Sequence, residues 1–115
     1  MSTPTPASAY SPGYVTPHRP VYNAYTGKWD YFCSFSHWRS TAKIFWKCNL
    51  HERVVGGDGF LQDYVVAPHS GSWTPPPSTH KSAIYHKALQ VGQGQYCVEA
   101  FGFNVDGGVT RYACN

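Results

Sequence analysis

The side chains that could carry out acid–base catalysis are few in this 115-residue chain and are dispersed along it. A glycosidase needs two carboxylates on either side of the bond that it cleaves, and Asp58 and Asp63 form the only pair that we consider for this role. Asp58 also lies in the segment Gly56-Gly57-Asp58-Gly59, where Asp is common because it suits a turn. This segment lacks the Lys-Ser/Thr of a phosphate-binding loop, and the chain has no Gly-x-Ser-x-Gly nucleophile motif. We therefore predict a protein that is not an enzyme and has no catalytic residues.

The histidines and cysteines lack the spacing of a metal site. The six histidines are dispersed, and the chain contains no Cys-x-x-Cys or Cys-x-His pair. An even number of cysteines in a short chain is typical of a disulfide framework. We therefore predict no metal and no cofactor, and two disulfides formed by Cys33, Cys48, Cys97 and Cys114.

Disulfides persist in oxidising surroundings, which places the protein outside a reducing cytosol. The first residues, Met1-Ser2-Thr3-Pro4, have neither the basic region nor the apolar core of a signal peptide. Two explanations stay open: a start codon has replaced the signal, or the protein leaves the cell without one, as a virion component does at lysis. The expected location is therefore extracellular or on a virion.

The composition narrows the fold to a small, aromatic-rich, all-β domain. Hydrophobic residues make up 42% of the chain and aromatic residues 17%, and Gly, Pro and Tyr are abundant, which argues against disorder and against long helices. No run approaches 18 apolar residues, so we expect no membrane insertion. The net charge is +3, but the basic residues are scattered, so we expect no nucleic-acid partner.

Two segments, 31–35 and 44–50, alternate between apolar and other residues with period two and predict β-strands. A hairpin that turns at 40–41 would bring Cys33 opposite Cys48 on a shared core face. This hairpin predicts a cross-strand disulfide. Further strands are expected at 60–66 and 82–89, with an irregular loop over 68–77.

The end of the chain predicts a second hairpin. Residues 95–103 and 108–114 would pair about a glycine-containing turn at 104–107, and this register places Cys97 opposite Cys114. Four cysteines allow three connectivities, of which we favour 33–48 with 97–114. Each disulfide would close a loop of about 15 residues and stabilise the fold by roughly 3 kcal/mol on the chain-entropy model. A 48–97 bridge between sheets, of the immunoglobulin type, is the alternative.

The segment from Leu89 to Gly107 resembles the E–F corner and F strand of fibronectin type III and related immunoglobulin-like domains. In that family a leucine is followed by a loop and a tyrosine corner, and then by alternating small apolar residues and an Asn-x-x-Gly turn. The residues of this chain at those places are Leu89, Tyr96, Val98, Ala100, Asn104 and Gly107. The leucine-to-tyrosine spacing is one residue longer than usual, and the proline that usually follows the leucine is missing. The resemblance implies an immunoglobulin-like antiparallel sandwich with a binding or spacing role and no catalysis.

The first residues differ in composition from the rest, because residues 1–22 contain five of the nine prolines. Proline disfavours both helices and ladder hydrogen bonds. We therefore expect an extended arm over residues 1–28, followed by a sandwich domain over 29–115. The side chains of this arm that suit contact with a surface are Tyr10, Tyr14 and Tyr22.

The last hairpin predicts an apolar stripe on its outward face. If Val98 and Ala100 face the core, then Phe101 and Phe103 face the other way, opposite Tyr112 on the next strand. Large apolar surfaces of soluble proteins tend to be interaction sites. We expect this stripe to be covered by the arm, by another subunit, or by an arm exchanged between neighbours.

These features together predict a non-catalytic structural or attachment module that binds a larger extracellular assembly. Decoration of a virion capsid or tail is the leading example. The expected partners are protein subunits of that assembly, a second copy of this chain among them. The alternative is a secreted carbohydrate- or protein-binding module, in which Trp73 of the proline-rich loop stacks on a sugar ring.

Overall fold

A computed structural model describes residues 11–90 and 94–115 of the chain, and these residues form an all-β structure as predicted. Within the described residues no helix is long and apolar enough to span a membrane. In chain order the strands are β1 (Tyr14–Asn23), β2 (Lys28–Ser36), β3 (Ile44–Val55), β4 (Leu61–Ala67), β5 (Ser70–Trp73), β6 (His80–Lys81), β7 (Tyr85–Lys87), β8 (Gln95–Asn104) and β9 (Gly107–Cys114).

The strands form two antiparallel sheets that pack against each other as a sandwich. In the first sheet, β2 pairs with β1 on one side and with β6 and β7 on the other. In the second sheet the order is β4-β3-β8-β9, and β5 also pairs with β3. The long strand β3 is therefore central to the second sheet, and its side chains alternate between the core and the outer face.

The core lies between β2 of the first sheet and the central strands of the second. The period-two patterns predicted which side chains are buried, since the inward positions of 31–35 and 44–50 are at most 8% exposed. β8 contributes smaller side chains opposite the long strand, which leaves room for the aromatic rings of the first sheet. The buried residues of these strands include Tyr31, Cys33, Phe35, Ile44, Trp46, Cys48, Leu50, Val98 and Ala100.

The disulfide between Cys33 and Cys48 is confirmed, but the hairpin from which we predicted it is wrong. β2 and β3 belong to different sheets, so the disulfide crosses the core instead of joining neighbours in one ladder. The connection between the two strands passes from one sheet to the other because Trp38 anchors it in the core. The indole is 2% exposed, and its N–H donates a hydrogen bond to the carbonyl oxygen of Tyr14 at 3.1 Å.

The second disulfide, Cys97–Cys114, is confirmed together with its predicted register. Asn104 pairs with Gly107, so the turn between β8 and β9 contains two residues rather than the expected four. The amide oxygen of Asn104 accepts a hydrogen bond from the backbone N–H of Asp106 at 2.8 Å, which stabilises this turn.

Two other segments differ from their predictions. The loop expected over 68–77 contains the short strand β5, and the strand expected over 82–89 is interrupted between β6 and β7. The interruption has a local cause at Ser82, whose hydroxyl oxygen accepts a hydrogen bond from the backbone N–H of Cys33 at 3.0 Å. The Ser82 backbone N–H in turn donates to the Cys33 carbonyl at 2.9 Å, so the chain is held against β2 without a continuous strand.

Residues 14–23 of the predicted arm are extended, and they form the edge strand β1 of the first sheet. The expectation that proline keeps this stretch out of a ladder is wrong, because an edge strand tolerates missing N–H groups. The register shifts between His18 and Val21, around Pro20. β1 packs on the inner side of β8 and β9, so it does not cover their outer face.

We predict that Gly102→Ala destabilises the fold, because Trp38 occupies the space in front of this glycine. A Cβ atom at Gly102 would lie 2.7 Å from Cζ2 of Trp38 and 3.4 Å from Cγ1 of Val15, and both side chains are buried. The expected loss in the free energy of unfolding is about 1–3 kcal/mol, measured by guanidinium chloride denaturation. Gly57→Ala is the matched control, because its Cβ would have no neighbour within 4 Å. Unchanged stability of Gly102→Ala would contradict the packing described here.

Candidate functional site

The outer face of the second sheet has an aromatic half and a charged half. Side chains of both halves project from β3 and β8. The register of these two strands pairs Phe45 with Phe103 in the aromatic half and Asn49 with Glu99 in the charged half. Because the alternate residues of these strands fill the core, the remaining ones must face solvent. The sequence therefore determines a surface whose side chains are held by two central, fully paired strands.

Phe45, Phe101 and Phe103 form the aromatic half, which we call the aromatic patch. The ring centroids of Phe45 and Phe103 are 5.3 Å apart, and those of Phe101 and Phe103 are 5.4 Å apart. Phe45 and Phe103 remain 45% and 40% exposed. The ammonium group of Lys43 lies 5.7 Å from the Phe45 ring centroid, at the border of the patch. The patch is therefore apolar, partly exposed and fixed by ring–ring contacts.

His51 is the centre of the charged half, where it lies between two carboxylates. Its Nδ1 is 2.7 Å from an Asp63 oxygen and its Nε2 is 2.8 Å from a Glu99 oxygen. Since a carboxylate only accepts hydrogen bonds, an imidazolium that donates from both nitrogens satisfies this arrangement. The His51 side chain is 11% exposed; its contact with Glu99, which is 18% exposed, is the more shielded from water, because Asp63 is 42% exposed.

Further hydrogen bonds extend from the two carboxylates to neighbouring strands of this face. Glu99 accepts from the Asn49 amide at 3.1 Å and from the Tyr112 hydroxyl at 3.1 Å. Asp63 accepts from Nε of Arg53 at 3.2 Å, and the Arg53 guanidinium lies 5.3 Å from the Tyr112 ring centroid. We call these residues the charged network: Asn49, His51, Arg53, Asp63, Glu99 and Tyr112. They join β3, β4, β8 and β9.

The network shifts the pKa values of its members. Burial lowers the pKa of His51, but hydrogen bonds and charge from Glu99 and Asp63 outweigh burial and raise it above the ordinary value. Burial acts to raise the pKa of Glu99, but hydrogen bonds from His51, Asn49 and Tyr112 outweigh it and lower this pKa. The network is therefore most stable with a protonated imidazole and ionised carboxylates.

The hydrogen bonds of His51 differ from those of a catalytic triad. In a catalytic triad one imidazole nitrogen faces a carboxylate and the other faces a nucleophile. Here both nitrogens of His51 face carboxylates, and neither faces a nucleophile. Among the described residues, no group of three potential ligands is placed to hold a metal ion. The network thus connects four strands of the second sheet at its outer face.

The residues predicted for partner binding do not lie on one surface. Phe101 and Phe103 belong to the aromatic patch, and Tyr112 lies beside them in the charged network. Tyr14 and Tyr22 lie on β1 in the opposite sheet, where they contact His37 and Trp29 edge to face. Tyr10 lies outside the described residues.

Trp73, the candidate for sugar binding, packs against other aromatic side chains. Its ring is stacked on His80 with centroids 4.9 Å apart, and it contacts Phe35 at 5.7 Å. Its indole N–H donates to the carbonyl oxygen of Pro77 at 2.9 Å. These contacts assign Trp73 a packing role, and the carbohydrate interpretation stays a prediction.

Sequence reasoning missed the charged network and Phe45. Asn49, His51 and Arg53 occur at every second position, a signal that they share the outward face of one strand. Their partner Glu99 lies in β8, which the chain pattern did not connect with β3. No family model, curated protein or solved structure matches the chain.

We predict that the stabilising effect of His51 depends on pH. Because the pKa of His51 is raised in the folded protein, its contribution is complete below its unfolded pKa, near 6.5, and is lost as the pH rises through the folded pKa. The free-energy difference between wild type and His51→Gln should therefore shrink between pH 6 and pH 9. Urea denaturation at each pH measures it, with His37→Asn as the control at an exposed histidine. A difference that grows with pH would contradict the imidazolium.

We predict that Trp73→Ala lowers the free energy of unfolding by about 2–4 kcal/mol, because it removes ring contacts to Phe35 and His80. Trp73→Phe should restore more than half of the loss. Thermal or urea denaturation measures both variants. A Trp73→Ala protein as stable as wild type would show that the indole does not support the core.

Proposed function

We propose that this protein is a non-catalytic attachment module, which binds a protein surface of a larger extracellular assembly through the aromatic patch. The observation that carries the proposal is a cluster of three phenylalanines on the outer face of a paired sheet, with no described segment of the chain over it. Clusters of exposed aromatic side chains are typical of interaction surfaces.

The geometry of the patch suits tight contact. Burial of apolar surface stabilises a complex by about 25 cal/mol per Å², so a few hundred Å² supplies several kcal/mol before the costs of association. Phenylalanine has few rotatable bonds, and ring stacking already restricts Phe45 and Phe103. Binding would therefore restrict few side-chain rotations that are not already restricted in the free protein.

The proposal includes an immunoglobulin-like identity for the sandwich, which several contacts support. The Tyr96 hydroxyl accepts a hydrogen bond from the backbone N–H of Gln90 at 3.3 Å, as expected of a tyrosine corner. The order β4-β3-β8-β9 corresponds to the C′-C-F-G sheet of variable-type domains. The buried disulfide joins β2 to β3 instead of the usual B–F pair, because Cys97 of β8 faces outward and pairs with Cys114.

An extracellular location is supported by the pairing of all four cysteines in two disulfides. Within this setting we propose decoration of a virion capsid or tail as the leading example of the assembly. Domains of this architecture serve binding and spacing roles in many proteins, so a second copy of the chain or a different subunit is an equally suitable partner for the patch.

We predict that Phe45→Ser/Phe103→Ser abolishes attachment. Both side chains point outward, so the substitutions should leave the core intact. The measurement is the fraction of the protein that sediments with the assembly from the natural source on a density gradient. We expect at least a tenfold lower bound fraction than for wild type, with an unchanged circular dichroism spectrum.

The control is Tyr25→Ser/Phe60→Ser, which removes two more exposed aromatic rings from turns outside the patch. This variant should sediment with the assembly as wild type does. A further pair, Tyr14→Ser/Tyr22→Ser, removes the predicted contacts of the first sheet. Loss of attachment in that pair, with retention in the patch variant, would overturn the assignment of the binding surface.

A further inference from the structure

β4 is an edge strand of the second sheet. All its register partners lie on β3, and no described strand pairs with its other side. An edge strand presents a row of backbone N–H and C=O groups that can pair with a further strand. Folded proteins usually protect such an edge with proline, with lysine, with a bulge or by keeping the strand very short.

The other described edges are better protected than β4. β1 contains Pro17 and Pro20, and its register with β2 shifts around Pro20. β5, β6 and β7 have only four, two and three residues, and β9, at the other end of the second sheet, lies against β1. The sequence of β4, Leu-Gln-Asp-Tyr-Val-Val-Ala, has neither proline nor lysine, and its register with β3 is regular from Leu61 to Val65.

Both faces of β4 present exposed hydrophobic side chains. Asp63 lies on the outer face, because it contacts His51 there. Leu61 and Val65 share this face by alternation, and they are 66% and 51% exposed. Tyr64 points to the opposite face and is 50% exposed. Hydrophobic side chains exposed on both faces of a strand with an open edge indicate that a neighbouring strand covers it.

The charge and the symmetry of β4 suit a second copy of the same strand. Asp63 is its only charged residue, and the carboxylate oxygens already face His51 at 2.7 Å and Arg53 at 3.2 Å. An antiparallel pair of identical strands centred on Asp63 would place two carboxylates directly opposite each other, which destabilises a sheet. Tyr64 is the middle residue of β4. A pair centred on it uses the whole strand, sets two aromatic rings opposite each other and places Asp63 opposite the partner's Val65.

We propose that two copies of this chain pair through β4 in antiparallel orientation, centred on Tyr64, so that their second sheets become one continuous sheet. The two-fold axis that relates identical antiparallel strands is perpendicular to the sheet. The outer faces of the two copies therefore point the same way, and the dimer presents two aromatic patches on one side. The patches then bind the assembly bivalently, which strengthens attachment without a new contact. This consequence rests on the proposed function, whereas the dimer does not.

The test is sedimentation equilibrium of the full chain over the micromolar to millimolar range. We expect wild type to change from monomer to dimer within this range. Tyr64→Lys should weaken the dimer at least tenfold, because the two-fold axis places two ammonium groups opposite each other. Tyr22→Lys is the matched control, since it makes the same substitution at a tyrosine that is 53% exposed on the edge strand β1, and it should dimerise as wild type does. A wild type that stays monomeric at millimolar concentration, or equal effects of the two substitutions, would overturn the proposal.

Cross-linking tests the register. Opposite residues of antiparallel strands have Cα atoms about 4.5–5.5 Å apart, a separation that a disulfide spans. Tyr64→Cys should therefore form a covalent dimer on oxidation, visible on a non-reducing gel. Gln62→Cys should not, because its partner in this register is Val66. Cross-linking of Gln62→Cys as fast as that of Tyr64→Cys would overturn the register.

A further pair of measurements separates the dimer from the attachment function. Phe45→Ser/Phe103→Ser should dimerise as wild type does, because the substituted side chains lie on β3 and β8. Tyr64→Lys should still sediment with the assembly from the natural source, with at least tenfold lower affinity, since each monomer keeps one patch. A dimeric wild type that does not attach would contradict the proposed function while confirming the dimer.

Discussion

The disulfide between Cys33 and Cys48 crosses from one sheet to the other in the centre of the core, and it determines which side of each central strand faces inward. Both cysteines are fully buried. Once Cys48 is directed inward, the alternation of β3 directs Phe45, Asn49 and His51 outward. The same covalent link that stabilises the sandwich therefore also positions the outer surface on which we base the proposed function.

The fold could be predicted from the sequence wherever a contact is local. The hairpin of β8 and β9, its register and the Cys97–Cys114 disulfide all follow from one turn and two alternating strands. The pairing of Cys33 with Cys48 was predicted for the wrong reason, because alternation shows which residues share a buried environment but not which strands are neighbours. Residues that face each other across two sheets satisfy the same pattern as residues side by side in a hairpin.

The candidate site could be predicted only in part. The outward direction of Phe101 and Phe103 followed from the last hairpin, since that direction depends on one strand alone. The charged network did not, because Glu99 meets His51 only after β3 and β8, which are far apart in the chain, become neighbours in the second sheet. Such sites depend on the packing of sheets, which short-range patterns do not encode.

The charged network also affects what can bind the aromatic patch. Lys47 is the register partner of Phe101, and Asn49 is that of Glu99, so a partner large enough to cover the patch also lies over polar groups. The carboxylates of the network already have donors within the protein, which lowers the cost of covering them because none is left unpaired. A cationic group of a partner at this position would compete with His51 and Arg53 for those carboxylates, at the expense of the network. On the function proposed above, the surface therefore favours a partner with an apolar centre and no cationic group at its border, and it discriminates by the cost of disturbing its own hydrogen bonds.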